Sequence, residues 1–296
     1  MENILEINGI TKRYKDFTLD NINLSLQKGS IMGFIGPNGA GKSTTIKAIL
    51  NLIRIDEGNI EFFGKDSKKF EREIKNRIGF VLDRSHFYKE ISLENMKNIV
   101  APFYEDWNEM MFQEYLKRFE LNPKKKIKAL SKGMTMKFTL SLALSHNAEL
   151  LIMDEPTDGL DPVVRHEVVE ILNELTRTEE KTILYSTHIT SDIDRLVDYV
   201  TYINRGKIVL SESKESLYDT YAMIQGPEEV LSKELLRKQA SDIVGFNRNA
   251  FGFKALVKNP QSIRSRYQNS IHYANPTLEE ILIYHKKGEE DVSTRI

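Results

Sequence analysis

The sequence predicts an α/β protein, and three observations lead there. Between residues 31 and 197, short apolar runs alternate with segments of helical spacing, the pattern of a parallel sheet covered by helices. The apolar run IMGFI (31–35) leads into the glycine-rich segment GPNGAGKST (36–44), after which the apolar period changes to that of a helix. The stretch 216–296 then follows a different order of elements and reads as a separate small α+β domain.

The elements follow in chain order. Residues 4–10 and 17–26 alternate, with Leu19, Ile22, Leu24 and Leu26 as apolar members, which predicts antiparallel strands with one buried face. Ile46, Ile49, Leu50 and Ile53 fall at i, i+3, i+4 and i+7, one face of a helix. Residues 58–64 read as a strand and turn, 68–77 as a charged surface helix, and IGFVL (78–82) as a strand. From 84 to 147 aromatics and Met rise and helical spacing dominates, predicting a helical subdomain inserted into the sheet domain; Trp107 there reads as a packing residue. The run Lys124, Lys125, Lys126, Lys128 reads as a solvated loop. Strand LLIM (150–153), a helix at 163–178, strand TILYST (182–187) and a helix near 190–197 continue the alternation. Strands 199–203 and 207–210, joined at Arg205-Gly206, close it as a hairpin. The tail reads as strand 219–224, helix 227–238, strands 242–247 and 251–257, helix 260–267, strand 270–274 and a last helix from Thr277 to Lys287. That β-α-β-β-α-β order predicts a ferredoxin-like fold. The expected domains are 1–215 and 216–296.

Composition removes several function classes. The 296 residues contain no cysteine, so disulfides, thiol catalysis and thiolate metal sites are excluded. Net charge is −1, so no global basic field for nucleic acid exists. No stretch approaches 18 consecutive apolar residues, and MENILEINGITKRYK has no apolar signal region. The expectation is a chain that does not span a membrane by itself and would act on one only through partners.

Two segments carry chemistry. Residues 36–44 fit G-x-x-x-x-G-K-[ST] between a strand and a helix. Gly36, Gly39 and Gly41, with Pro37, Asn38 and Ala40 between them, let the backbone curl so that N–H groups point at phosphate oxygens. Lys42 then reaches the β- and γ-phosphates, the Ser43 hydroxyl can ligate Mg²⁺, and Thr44 completes the loop. In LLIMDE, four apolar residues form a buried strand and two carboxylates emerge at its end. Neighbouring strand side chains point to opposite sides, so Asp154 can face Mg²⁺ while Glu155 faces the γ-phosphate and a water.

With these segments in place, residues 4–212 resemble the ATPase subunit of an ATP-binding cassette (ABC) transporter. GPNGAGKST is similar to the Walker A loop and LLIMDE to Walker B. LSKGM (130–134) resembles the LSGGQ signature, PTDGLDP (156–162) the D-loop, and YSTHI (185–189) the switch strand. The resemblance implies ATP and Mg²⁺ as cofactors and two cassettes, a second copy or a related chain, closing head-to-tail. In that arrangement Ser131 and Gly133 cap the γ-phosphate bound to the opposite Walker A loop. Glu155 deprotonates the attacking water, His188 senses the γ-phosphate, and Asp161 runs along the interface. His188 could also be a strand-end histidine. Tyr14 stands where the family stacks an aromatic on adenine, and reads equally as an ordinary strand tyrosine. Asp83 occupies the position of the family's Q-loop glutamine; it can contact Mg²⁺, directly or through water, or cap the following segment. Lys132 replaces the first signature glycine and Met134 its glutamine.

These departures, and the tail, resemble the ATPases of bacterial exporters for antibiotics and amphipathic cytolytic peptides of the phenol-soluble modulin type. The expected function is ATP hydrolysis powering export through separate polytopic membrane subunits at the cytoplasmic face of the membrane, with no nucleic-acid partner. The segment with Phe87, Tyr88, Ile91 and Phe103 would receive the coupling helix of the membrane subunit or serve as core. A cassette ATPase acting on DNA or ribosomes lacks the expected coiled-coil arms or second Walker A loop here. A P-loop kinase or GTPase would lack the signature and D-loop. An importer ATPase is the other alternative.

Overall fold

The computed structural model describes residues 2–82, 87–179, 181–190, 194, 196–235, 242–249, 252–267 and 270–293. The chain divides into two compact units, Met1–Ser211 and Glu212–Ile296.

The first unit holds two sheets. Strands β1 (Asn3–Arg13), β2 (Thr18–Gln27), β4 (Glu57–Phe62) and β5 (Lys65–Asp66) form an antiparallel sheet of order β2-β1-β4-β5. Strands β3 (Ile31–Ile35), β6 (Ile78–Val81), β7 (Leu150–Asp154), β8 (Thr182–Thr187), β9 (Tyr199–Asn204) and β10 (Lys207–Ser213) form the other, in the order β10-β9-β3-β8-β7-β6. Its neighbours β6, β7, β8, β3 and β9 all run parallel. β3, β7 and β8 are buried along their whole length, as parallel strands covered on both faces must be. The alternating apolar residues of β1 and β2 share one core with helix α1 (Lys42–Ile49) and with β3, β7 and β8. Ile46 and Ile49 are the buried face of α1, as their spacing predicts.

Between β6 and β7 the chain is helical: α3 (Leu93–Val100), α4 (Glu109–Arg118) and α5 (Lys132–Leu144), after the short α2 (Glu71–Asn76). Ser92, Asn108 and Ser131 each accept a hydrogen bond from the third residue along, so each of the three helices has an N-cap. Trp107 packs on Phe112, 5.6 Å between ring centroids, as a packing residue does. Helix α6 (Pro162–Glu179) leads to β8. The helix expected near 190–197 falls largely on residues 191–193 and 195, outside the described residues. β9 and β10 are joined by Arg205 and Gly206, both at positive φ (46° and 78°), the turn geometry that matches strand twist.

The second unit begins differently from expectation. Where a strand was expected from 219, the chain first forms helix α7 (Lys214–Thr220), and strand β11 follows at Tyr221–Gly226. The cause is local: the Ser213 hydroxyl accepts from the Ser216 N–H at 3.1 Å and starts a helix. Helix α8 (Glu228–Leu235), strands β12 (Ile243–Asn249) and β13 (Gly252–Lys258), helix α9 (Gln261–Arg266) and strand β14 (His272–Ala274) complete a four-stranded sheet of order β12-β13-β11-β14. That order, with a helix after the first and third strands, is the split β-α-β arrangement. Helix α10 (Leu278–Ser293) runs past the expected end at Lys287. It starts in a capping box: Glu280 N–H donates to Thr277 Oγ1 at 3.1 Å, and Thr277 N–H to Glu280 Oε2 at 2.9 Å.

Candidate active site

The site is assembled at the carboxyl ends of three adjacent parallel strands. β3 ends in the loop Gly36–Gly41, β7 in Asp154 and Glu155, and β8 in Thr187 and His188; the order β3-β8-β7 brings the three ends side by side. Ligands of open α/β sheets bind in that position. A cavity of about 690 Å³ opens there, lined by Asn38, Gly39, Gly41, Lys42, Ser43 and Thr44 from the loop and the first turn of α1, and by Glu155 and His188 opposite. A helix N-terminus therefore faces the cavity with its partial positive charge.

The loop has little freedom. Gly41 sits at φ 115°, and a Cβ there would lie 2.7 Å from Leu19 Cδ2 and 2.9 Å from Phe17 Cζ. Only glycine satisfies both demands. The Lys42 ammonium is buried and donates to the carbonyls of Gly36 (2.6 Å) and Pro37 (3.2 Å), and it lies 3.0 Å from Glu155 Oε1. Ala40 turns its carbonyl away, to the N–H of Gly206 at 2.9 Å.

The opposite wall is equally determined. Glu155 has φ 50°, a left-handed conformation costing about 1–2 kcal/mol for a non-glycine residue. Its surroundings hold it there. Glu155 N–H donates to Ser186 Oγ at 3.1 Å, and that hydroxyl donates to Asp154 Oδ1 at 2.7 Å. Thr157 Oγ1 and Tyr185 OH, both buried, meet at 2.7 Å and fix the following turn. The carboxylate then divides its oxygens: Oε1 to Lys42, and Oε2 to His188, whose Nδ1 is 2.8 Å away. Lys42, Glu155 and His188 thus form one continuous polar chain across the cavity.

Not every residue singled out in the sequence reaches this cavity. Asp154 lies behind Glu155, buried against Ser186. Tyr14 is exposed beyond the end of β1, with Lys12 over its ring, and does not line the cavity, whereas its neighbours Asp16 and Phe17 do. Ser131 and Gly133 sit on the first turn of α5, away from the cavity. Asp161 caps α6, its Oδ1 accepting the N–H groups of Val163 and Val164 at 3.1 Å each. Asp83 lies outside the described residues. Sequence reasoning missed four contributors: Asp16, Phe17, Asp158 and Ser186. The last two stood inside quoted motifs, and only the fold shows what they touch.

Ser43 lines the cavity, and Asp154 is buried behind Glu155 with its carboxylate held by the Ser186 hydroxyl; hydroxyl and carboxylate oxygens are the hard donors that Mg²⁺ takes alongside phosphate and water. The residue types, a hydroxyl and a carboxylate, are of the chemistry that the implied metal takes. Among the described residues no cluster of three or more His, Asp or Glu side chains forms a metal cage.

A phosphate cradle facing carboxylates at the ends of neighbouring strands defines a P-loop nucleoside triphosphatase. Residues 19–158 match the family described as ABC transporter. The chain is 36% identical over 212 residues to the bacitracin transport ATP-binding protein BcrA of Bacillus licheniformis, covering 71% of this chain and 69% of that one. It is 33% identical over 232 residues to the lantibiotic transport ATP-binding protein SrtF of Streptococcus pyogenes, covering 75% and 99%. A solved ATP-binding subunit of an ABC transporter superposes with a TM-score of 0.66 at 26% identity, covering 73% of this chain and 92% of that one. The chain belongs to the ATP-binding subunits of ABC transporters, and it is an ATPase.

Proposed function

We propose that the protein hydrolyses Mg-ATP to drive export of a peptide antibiotic or a similar amphipathic peptide through separate membrane subunits at the cytoplasmic face of the membrane. The observation that carries the chemistry is the chain Lys42–Glu155–His188 across the phosphate cradle. Likeness to the bacitracin and lantibiotic transport proteins supports the substrate class.

In this reading the triphosphate replaces Glu155 as the counter-charge of Lys42. Released from the ammonium, the Glu155 carboxylate orients and deprotonates a water, while His188 donates to the γ-phosphate. Ser43 and Asp154 would hold Mg²⁺, which neutralises charge on the β- and γ-phosphates when bound. Ser131 and Gly133, which do not line the cavity of their own chain, would serve the site of a second cassette, with Asp161 along the same interface. Tyr14 would swing onto the adenine.

Partner binding has its own surface. An apolar groove of about 740 Å³ runs between the end of α1, α2, β6 and the end of α3, with Leu52, Phe80 and Phe103 exposed on its walls. It fits the coupling helix of a membrane subunit. Phe87, by contrast, packs on Phe138 at 5.3 Å and serves the core of the helical segment. Among the described residues no helix is long and apolar enough to cross a membrane.

The test is co-expression with a polytopic subunit, reconstitution in vesicles, and ATPase measured with and without bacitracin or a lantibiotic. Stimulation together with peptide movement is expected. ATP hydrolysis that no peptide stimulates would overturn the substrate class while leaving the ATPase intact.

A further inference from the structure

We infer that Lys132 is a positioning residue for nucleotide, acting through Asp158 on the rim of the ATP cavity. The inference rests on the reading of that cavity as the ATP site. Lys132 Nζ lies 3.4 Å from Asp158 Oδ2. Asp158 itself lines the 690 Å³ cavity beside Glu155 and His188, and its N–H donates to the Glu155 carbonyl at 3.1 Å. Lys132 also shares a second cavity, of about 410 Å³, with Glu155. Two cavities thus meet at Glu155, and Lys132 stands on one while neutralising an acid on the other. The fit is close: at Gly159, φ 63°, a Cβ would come within 2.7 Å of Lys132 Nζ.

A stabilising role does not account for the pair. Both side chains are about half exposed, 52% and 43%, and such pairs contribute roughly 0–1 kcal/mol to folding. Electrostatics at the cavity does account for it. Asp158 is an anion on the wall where a polyphosphate binds, and unpaired it repels that ligand. A cation beside it cancels the repulsion without entering the cavity. Lys42, the cation inside the cavity, is already shared with Glu155 and two carbonyls. The lysine at the third signature position is thus matched to the aspartate four residues after Asp154, and the two act as a unit.

Titration of the full chain with mant-ATP tests this. Lys132→Ala is expected to weaken binding on the order of fivefold at low salt, since a unit charge several Å from a polyphosphate is only partly screened. Lys132→Arg keeps the charge and is expected to bind as the native chain does. In Lys132→Ala/Asp158→Asn the repelling acid is also gone, and affinity is expected to return to within twofold of native. The Lys132→Ala defect is expected to shrink at 0.5 M salt, while its melting temperature stays near native. A Lys132→Ala chain that binds natively, or a double variant no better than the single, overturns the inference. Failure of the native chain itself to bind mant-ATP would instead overturn the reading of the cavity, and this inference with it.

Discussion

Replacing Glu155 by glutamine separates two jobs that one side chain performs. Lys42 and Glu155 are 5% and 13% exposed, so their 3.0 Å contact is a buried ion pair. Breaking such a pair from one side costs about 3–5 kcal/mol. Here Gly36 and Pro37 still accept from the ammonium, and the Gln oxygen can keep one partner, which lowers the expected loss to about 1–3 kcal/mol. For a domain of this size that is roughly 2–12 °C in melting temperature without nucleotide. Because the nucleotide need no longer displace an anion from Lys42, ATP affinity is expected to rise as stability falls, and added ATP should restore the melting temperature. Hydrolysis is expected to drop by ~10²–10⁴, since the amide cannot take a proton. Differential scanning fluorimetry with and without Mg-ATP, alongside phosphate release, reads all three. An unliganded variant that melts with the native chain and binds ATP no better would refute the ion-pair argument; native turnover would refute the assignment of the base.

Three further outcomes follow from other contacts. Lys42→Ala is expected to weaken mant-ATP binding by about 10- to 100-fold, the worth of a charged hydrogen bond or two to phosphate, as a titration will show. His146 is buried, stacked on Tyr104 at 3.7 Å, and burial holds its pKa below the ordinary histidine value despite the carbonyls of Ile78 and Leu142. The unfolded chain then takes up the proton first as pH falls below about 6.5, so stability is full above that value and declines beneath it. Urea melts between pH 7 and 5 should show this slope, reduced in His146→Leu. Thr277→Ala removes the capping box of α10 and should cost about 0.5–2 kcal/mol in the second unit, measured by loss of its hydrogen-exchange protection.

The phosphate cradle was legible because its requirements are local. A buried strand, a glycine-rich turn and a helix start are consecutive in sequence, and LLIMDE states its own strand end. The tail's sheet was legible too: the strands expected at 242–247 and 251–257 lie within one or two residues of β12 and β13. What escaped was whatever depends on a neighbour far along the chain. Ser186 bridges Asp154 and the Glu155 N–H across 31 or 32 residues. The Lys132–Asp158 pair joins residues 26 apart. The shift of β11 escaped for a smaller reason: the serine hydroxyl at 213 starts a helix that takes in Asp219 and Thr220, the first two residues of the expected strand.

The turn at Arg205-Gly206 carries one more consequence. It looks like the tip of an ordinary hairpin, the sort of place where an engineer would splice in an epitope tag or a fluorescent domain. Yet the Gly206 N–H holds the Ala40 carbonyl of the phosphate loop, its own carbonyl accepts from the Asp20 N–H, and a Cβ on it would collide with Thr18 O at 1.8 Å. The turn is a rivet between the nucleotide loop and the antiparallel sheet. A splice there would leave both sheets formed and set the phosphate loop adrift, producing a well-folded protein with poor affinity for ATP.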